Sequence, residues 1–292
     1  MIRIVALLTI FASAGLSSAA DLDSLIAPLA KSHQGKVAVA IKNLKTGEEY
    51  YLNADEPMPT ASLIKLPIMV ETYWQAAEDK VKLDQTLTLR KEDKVIGSGI
   101  LTSHFSDGAT FPLRDGVRLM IAFSDNTATN MVLDRIGIPS TNVRMEKLGL
   151  KNTKINAKVF KGSKTSIDPA RTKKFGLGST TAREMVQLLE LIEQGKVATP
   201  AACKEMIDHL KKCEDKEKMT RFLPASVAVA HKTGSVNASK TDAGILYLKS
   251  GPVAVCVLTD GNKDVRWVAD NAAQVLIGKI ARAAYDHFSA AK

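Results

Sequence analysis

Pro59-Thr60-Ala61-Ser62-Leu63-Ile64-Lys65 sets a hydroxyl and an ammonium three residues apart, where an apolar-periodic segment begins. From Ser62 to Ala77 the apolar residues recur with helical spacing, so the segment reads as a helix opening behind Pro59-Thr60. Positions i and i+3 share a helix face, which puts the Lys65 ammonium within reach of the Ser62 hydroxyl. A serine hydroxyl is a weak nucleophile until a base takes its proton. A lysine crowded by burial or by other cations loses enough basicity to act as that base. The start of a helix also favours developing negative charge. Taken alone the pattern says little, because Ser289-Ala290-Ala291-Lys292 at the end of the chain repeats it.

Two further triplets give it weight. Ser124-Asp125-Asn126 falls between two helical segments and offers a hydroxyl for proton relay and an amide for a substrate carbonyl. Lys232-Thr233-Gly234 lies on a strand after Pro224. It offers a cation and a hydroxyl for a carboxylate, and a glycine where substrate lies against the strand. A second Lys-Thr-Gly, at residues 45–47, precedes Ser62 and reads as a hairpin turn.

The elements around these triplets are ordered strand, helix, strand. Lys36 to Asn53 alternates Val37, Val39 and Ile41 into a turn and returns through Tyr50-Tyr51-Leu52, a hairpin. Ser62–Ala77, Asp115–Ile136, Asn142–Leu148 and Thr180–Gln194 have helical spacing and are joined by Gly-, Ser- and Lys-rich loops. Ala202 to Lys216 reads as another helix. Strands return at Val227–Lys232, Ala243–Lys249 and Val253–Leu258, the last two joined by the turn signal Ser250-Gly251-Pro252. An amphipathic helix over Asp264–Ser289 closes the chain.

Ser62-x-x-Lys65, Ser124-Asp125-Asn126 and Lys232-Thr233-Gly234, in that order, resemble the motif set of class A β-lactamases and penicillin-binding proteins. The similarity extends through Leu113-Arg114-Asp115 to Asn130, through Gly137-Ile138-Pro139, and to Phe222-Leu223-Pro224 ahead of the last strands. It covers the chain from about Lys36 onward. The resemblance implies an α/β (α+β) two-domain fold, an antiparallel sheet flanked by terminal helices with an all-helical domain inserted. Residues 21–59 and 206–292 would form the first part and residues 60–205 the second. The resemblance further implies that Ser62 forms an acyl-enzyme and that Lys65 is its base or relay. Ser124 would pass the proton to the leaving nitrogen, and Asn126 would bind the substrate's side-chain amide. Lys232 and Thr233 would hold its carboxylate beside Gly234. The backbone N–H groups of Ser62 and Ser235 would form the oxyanion hole.

The chain departs from that family in three places. Class A enzymes carry a glutamate on the loop between Leu148 and Thr180, which activates the deacylating water. No glutamate occurs here from Lys147 to Arg183. Asp168-Pro169 is the replacement on offer, although aspartate is one methylene shorter and a general base must reach its water; the alternative for Asp168 is a loop cap paired with Arg171 or a lysine. The same loop is basic, with Lys158, Lys161, Lys164, Arg171, Lys173 and Lys174. His231 stands before Lys232 where the family usually has an acid, and reads either as a charge that weakens Lys232 or as an ordinary strand histidine. For the arginine that supports the substrate carboxylate in many class A enzymes, Lys240 and Arg221 are the candidates.

The 292 residues suffice for one large domain or two packed ones, and the net charge of +9 is spread without a nucleic-acid signature. Arg3, the apolar run Ile4–Leu16 and Ser18-Ala19-Ala20 read as a signal peptide over residues 1–20, cleaved near Ala20, which implies a periplasmic or secreted protein with no stable membrane anchor. Cys203 and Cys213 could bridge only if their helix broke between them, while Cys256 reads as a buried strand residue. Cys203, His209 and Cys213 lack a fourth ligand for a metal. No Gly-x-Ser-x-Gly elbow, phosphate loop, dinucleotide fingerprint or zinc-protease helix occurs. The expectation is therefore a monomeric exported serine hydrolase with no cofactor or metal, acting on a small β-lactam or a peptidoglycan-peptide-like substrate. The alternatives are an acyl-enzyme former with little β-lactam turnover, such as a penicillin-binding peptidase or esterase, and a non-catalytic β-lactam sensor.

Overall fold

The computed structural model describes residues 21–290, so the signal-peptide reading of residues 1–20 lies outside the described residues. Its centre is a five-stranded antiparallel sheet in the order Glu49–Leu52, Lys36–Asn43, Gly251–Asp260, Ser239–Leu248, Ala228–Val236. The first hairpin and the last three strands thus meet through the pairing of Lys36–Asn43 with Gly251–Asp260, in which Ala40 faces Cys256.

Period-two alternation sorts these strands between two cores. Val37, Val39 and Ile41 of one strand join Val253, Val255 and Val257 of its neighbour beneath the Leu22–Ser32 and Ala272–Ala290 helices. The intervening Ala38, Ala40, Ala254, Cys256 and Leu258 face the other way, into the larger core under the helices of the middle of the chain. Strands buried on both faces explain why these segments are near-continuous runs of apolar residues.

The middle helices are Lys65–Ala77, Leu113–Ala122, Asn126–Ile136, Ile138–Lys147, Ala182–Glu193 and Pro200–Leu210. Two further short helices, Gly162–Thr165 and Pro169–Phe175, lie in the basic segment that the sequence presented as a loop. The largest departures from the expected boundaries are three. The Ala202–Lys216 helix runs instead from Pro200 to Leu210, because Thr199 caps its start and the chain turns at Lys211. The terminal helix begins at Ala272 and not at Asp264. Asp264 instead accepts the Ala272 N–H (2.9 Å), while Asn271 Nδ2 donates to its carbonyl, so residues 264–271 form a capping turn. Asp115–Ile136 is broken at Phe123–Asp125, where Ser124 takes a positive φ of 52°.

Candidate active site

Ser62 does not open the long helix directly. It sits in a 3-10 turn, Ala61–Ile64, from which Lys65 starts the helix, and Ala61 before it has a positive φ of 46°. The turn is held from behind: Thr60 N–H donates to the Gly178 carbonyl (3.0 Å), and Thr241 Oγ1 donates to the Thr60 carbonyl (2.9 Å). Gly234 is the residue that allows this. A β-carbon there would stand 2.4 Å from Thr241 Oγ1, 2.5 Å from the Thr60 carbonyl and 2.9 Å from Leu63 N. The glycine of the third triplet therefore admits the nucleophile's own turn against the edge strand, besides leaving room for a ligand.

Lys65 is fully buried. Its Nζ donates to the Ser124 carbonyl (2.6 Å), Ser124 Oγ (3.1 Å) and Asn126 Oδ1 (2.8 Å). These three contacts use every N–H of an ammonium, and Ser62 is not among them, so the expected direct pairing along one helix face gives way to a reach across to the second triplet. Burial first, and then the charge of Lys232, hold the Lys65 pKa well below that of an ordinary lysine. A neutral amine keeps two donors and frees a lone pair, the state a base requires. Lys232 Nζ reaches Ser124 Oγ from the other side (3.1 Å) and donates to the Thr233 carbonyl (2.8 Å). Burial lowers its pKa as well, against the opposing charges of Cys213 and Asp215. The Ser124 hydroxyl thus bridges two lysines, which suits it to pass a proton.

Asp125, between the two chemical residues of its triplet, is structural. Its carboxylate accepts the N–H groups of Ala128 (2.8 Å), Ile100 (2.7 Å) and Leu101 (2.9 Å), capping one helix and tying the 96–101 loop to it. Asp125→Ala would leave three donors unmet in the interior, at about 1–3 kcal/mol each. We expect it to lose at least about 3 kcal/mol of stability in denaturant unfolding, through the cap and not through chemistry.

These groups open on a cavity of about 910 Å³, the size of a small-molecule site. Ser62, Ser124, Asn126, Lys232, Thr233, Gly234 and Ser235 all line it, so the three triplets converge. Its walls are strongly apolar, with Phe123, Phe160, Phe175, Leu177, Val236 and Trp267. Ser98 was missed by sequence reasoning. Its Oγ donates to the Ser124 carbonyl (2.7 Å), and the only hint was its place between Gly97 and Gly99. Trp267 carried no signal either; Lys240 stacks on its ring at 4.4 Å.

Several candidates are placed elsewhere. Asp168 is the N-cap of Pro169–Phe175, its carboxylate accepting the Arg171 N–H (2.9 Å), and it does not line the cavity. The capping alternative is the one its geometry fits. Lys240 Nζ donates to the Val236 carbonyl, and Arg221 pairs with Glu217 and the Ala269 carbonyl. Neither lines the cavity, so neither supplies the carboxylate-supporting arginine's place. In the basic segment Lys161 donates to the Glu92 carbonyl, while Lys158, which pairs with Asp134, and Lys174 both line the cavity. His209 is bonded to the Tyr73 hydroxyl (2.7 Å), and all three cysteines are free. The helix does break between Cys203 and Cys213, but no bridge forms. Cys256 is buried in mid-strand as expected.

Known proteins fit this geometry. The model of the Beta-lactamase enzyme family matches residues 20–288. A β-lactamase of Bacillus licheniformis is 26% identical over 241 residues, covering 81% of this chain and 75% of that protein. Among solved structures, a β-lactamase from Sphaerobacter thermophilus superposes with a TM-score of 0.81 at 28% identity, covering 91% of this chain and 97% of that one. A leucine-to-glutamate mutant of PBP-A, solved as an acyl-enzyme complex with penicillin G, gives 0.78 at 25% identity, covering 90% and 94%. Since the family match spans both the sheet that carries Lys232 and the helices that carry Lys65 and Ser124, the chain belongs to the beta-lactamase enzyme family, as a serine hydrolase of the class A type.

Proposed function

We propose that this is an exported, monomeric serine hydrolase that opens β-lactams on Ser62 and releases the acyl group slowly. Ser62 Oγ attacks the lactam carbonyl while neutral Lys65 takes its proton. The proton passes through Ser124 to the ring nitrogen as the carbon–nitrogen bond breaks. Lys232 and Thr233 hold the substrate carboxylate, Asn126 the side-chain amide, and the backbone N–H groups of Ser62 and Ser235 the oxyanion. The aromatic walls suit an aryl-bearing acyl group.

One observation carries the slow-release part: residues 157–177 contribute ten side chains or backbones to the cavity wall, and none is a carboxylate. Water that must attack the acyl-enzyme finds no general base on that side. The same observation favours a second reading, a penicillin-binding peptidase- or esterase-like acyl-enzyme former, and the likeness to PBP-A supports it.

A time course with benzylpenicillin and a chromogenic cephalosporin, followed by intact-protein mass, tests this. A full covalent adduct that outlives many acylation times is expected, with Asp168→Asn leaving its lifetime unchanged. Rapid steady turnover without adduct would overturn slow release. Neither adduct nor product would overturn the β-lactam reading, and cleavage of a peptide or ester would then identify the second.

A further inference from the structure

The strand that carries Lys232 also carries a second group of ionisable side chains, which acyl transfer does not use. His231 is fully buried, and its Nδ1 lies 3.1 and 3.2 Å from the two carboxylate oxygens of Asp242 on the neighbouring strand. Asp242 is itself fixed by the Met219 N–H (3.0 Å). His231 pairs in register with Gly244, where a β-carbon would stand 2.4 Å from that of His231, so the glycine makes room for the histidine. With Nδ1 committed to Asp242, Nε2 is a buried nitrogen without a hydrogen-bond partner. Cys213 lies on the turn after the Pro200–Leu210 helix, which packs against this strand, and its thiol and the imidazole act on each other through their charges.

Cys213 follows the Pro200–Leu210 helix and is held by its own backbone: its N–H donates to the Leu210 carbonyl (3.2 Å), and its carbonyl accepts Lys216 Nζ (2.6 Å). It is only 2% exposed, yet it lines the active-site cavity together with Ser124, Lys232 and Thr233. The other cysteines differ. Cys203 donates its S–H to the Val197 carbonyl, Cys256 is sealed within the sheet, and burial pushes both thiols up. Burial opposes ionisation at Cys213 too, but His231, and then Lys232, outweigh it and bring the thiol down to about 7. Asp242 in turn raises His231 to about 10 against its burial. A thiolate beside an imidazolium is the reactive form of cysteine.

We propose that Cys213, backed by His231 and Asp242, is a peroxide-reactive thiol opening into the active-site cavity, whose oxidation to sulfenic acid obstructs the Lys232–Thr233 subsite. The oxidant is hydrogen peroxide, which enters the cavity that Cys213 lines. The Cys213 thiolate attacks one peroxide oxygen and the O–O bond breaks. The departing hydroxide takes the proton of His231 Nε2 and leaves as water. Sulfur loses two electrons, peroxide gains them, and His231 is left neutral against Asp242. The added oxygen then stands beside Lys232 and Thr233, where a substrate carboxylate is expected.

The experiment treats the purified full-length protein with hydrogen peroxide, traps sulfenic acid with dimedone and maps the label by mass spectrometry. Label on Cys213, with Cys203 and Cys256 reacting only after denaturation, is expected. Acylation by benzylpenicillin should slow about tenfold to a hundredfold, the worth of the displaced charge-assisted hydrogen bonds. Dithiothreitol should restore it, which separates the effect from methionine sulfoxide. Cys213→Ser should keep its acylation rate under peroxide. An unlabelled Cys213 in the folded protein, or equal inactivation of Cys213→Ser, would overturn the site. Label without slower acylation would overturn the obstruction. The inhibitory half rests on the acyl-enzyme reading above, whereas the labelling half stands whether or not β-lactams react.

Discussion

Ser62→Ala is expected to form no adduct with benzylpenicillin and to lose turnover by a factor on the order of 10⁶, the scale seen when a serine hydrolase loses its nucleophile. The expectation is that large because the rest of the site has no substitute. Ser124 Oγ is bridged between Lys65 and Lys232, and its carbonyl accepts Lys65 and Ser98, so it is positioned to relay and not to attack. Ser235 and Ser239 also line the cavity, on paired strands at its edge. The fold should survive, since the turn around Ser62 is held by Thr60, Gly178 and Thr241 through bonds that do not involve the Ser62 side chain. Intact-protein mass after exposure to substrate, with a melting curve as control, checks both halves. An adduct persisting on a folded Ser62→Ala protein would move the nucleophile to another hydroxyl in the cavity.

What the sequence disclosed and what it hid have a common physical origin. Ser62, Ser124 and Lys232 were legible because their chemistry needs particular residue types at fixed local spacing, and spacing is visible in a chain. The strands at Lys36–Asn43 and Val253–Leu258 were legible for a similar reason, as apolar segments bounded by turns, but the alternation of Val37, Val39 and Ile41 did not disclose that the intervening alanines are buried on the opposite face. Contacts between distant elements were not. That Lys65 reaches Ser124 and Asn126 and not Ser62 depends on how the Asn126–Ile136 helix packs against the Lys65–Ala77 helix. The Cys213–His231–Asp242 grouping joins a post-helical turn to two strands, and nothing local marks it. Asp168 carried two readings that local sequence could not separate: Asp-Pro is equally the start of a capped helix, and the capping bond to Arg171 took the carboxylate. Ala202–Lys216 continued on propensity past Leu210 because the sequence carries no glycine or proline there.

Val159→Glu should convert the protein into one that releases its acyl group faster, by about 10²- to 10⁴-fold if the new carboxylate acts as a positioned general base. Val159 is the place for it because its backbone is fixed on both sides by one side chain. Its N–H donates to Asn130 Oδ1 (2.9 Å), and its carbonyl accepts Asn130 Nδ2 (3.0 Å). Asn130 stands one turn along the helix from Asn126, whose own amide oxygen accepts Lys65 Nζ, so the segment bearing Val159 is registered to the helix that orients the base. The valine is 8% exposed and lines the cavity, which puts a longer side chain into the space that Ser62 also faces. Partial burial would raise the glutamate's pKa and make it a stronger base once ionised, while Lys174 on the same wall offers it a counter-charge. Val159→Gln is the control, since it matches the glutamate in shape but cannot take a proton. A shorter adduct lifetime in the glutamate variant alone would identify the missing carboxylate as the cause of slow release. Equal lifetimes in both variants would place the obstacle elsewhere, in the water's access past Phe160 and Phe175, whose rings narrow the same wall.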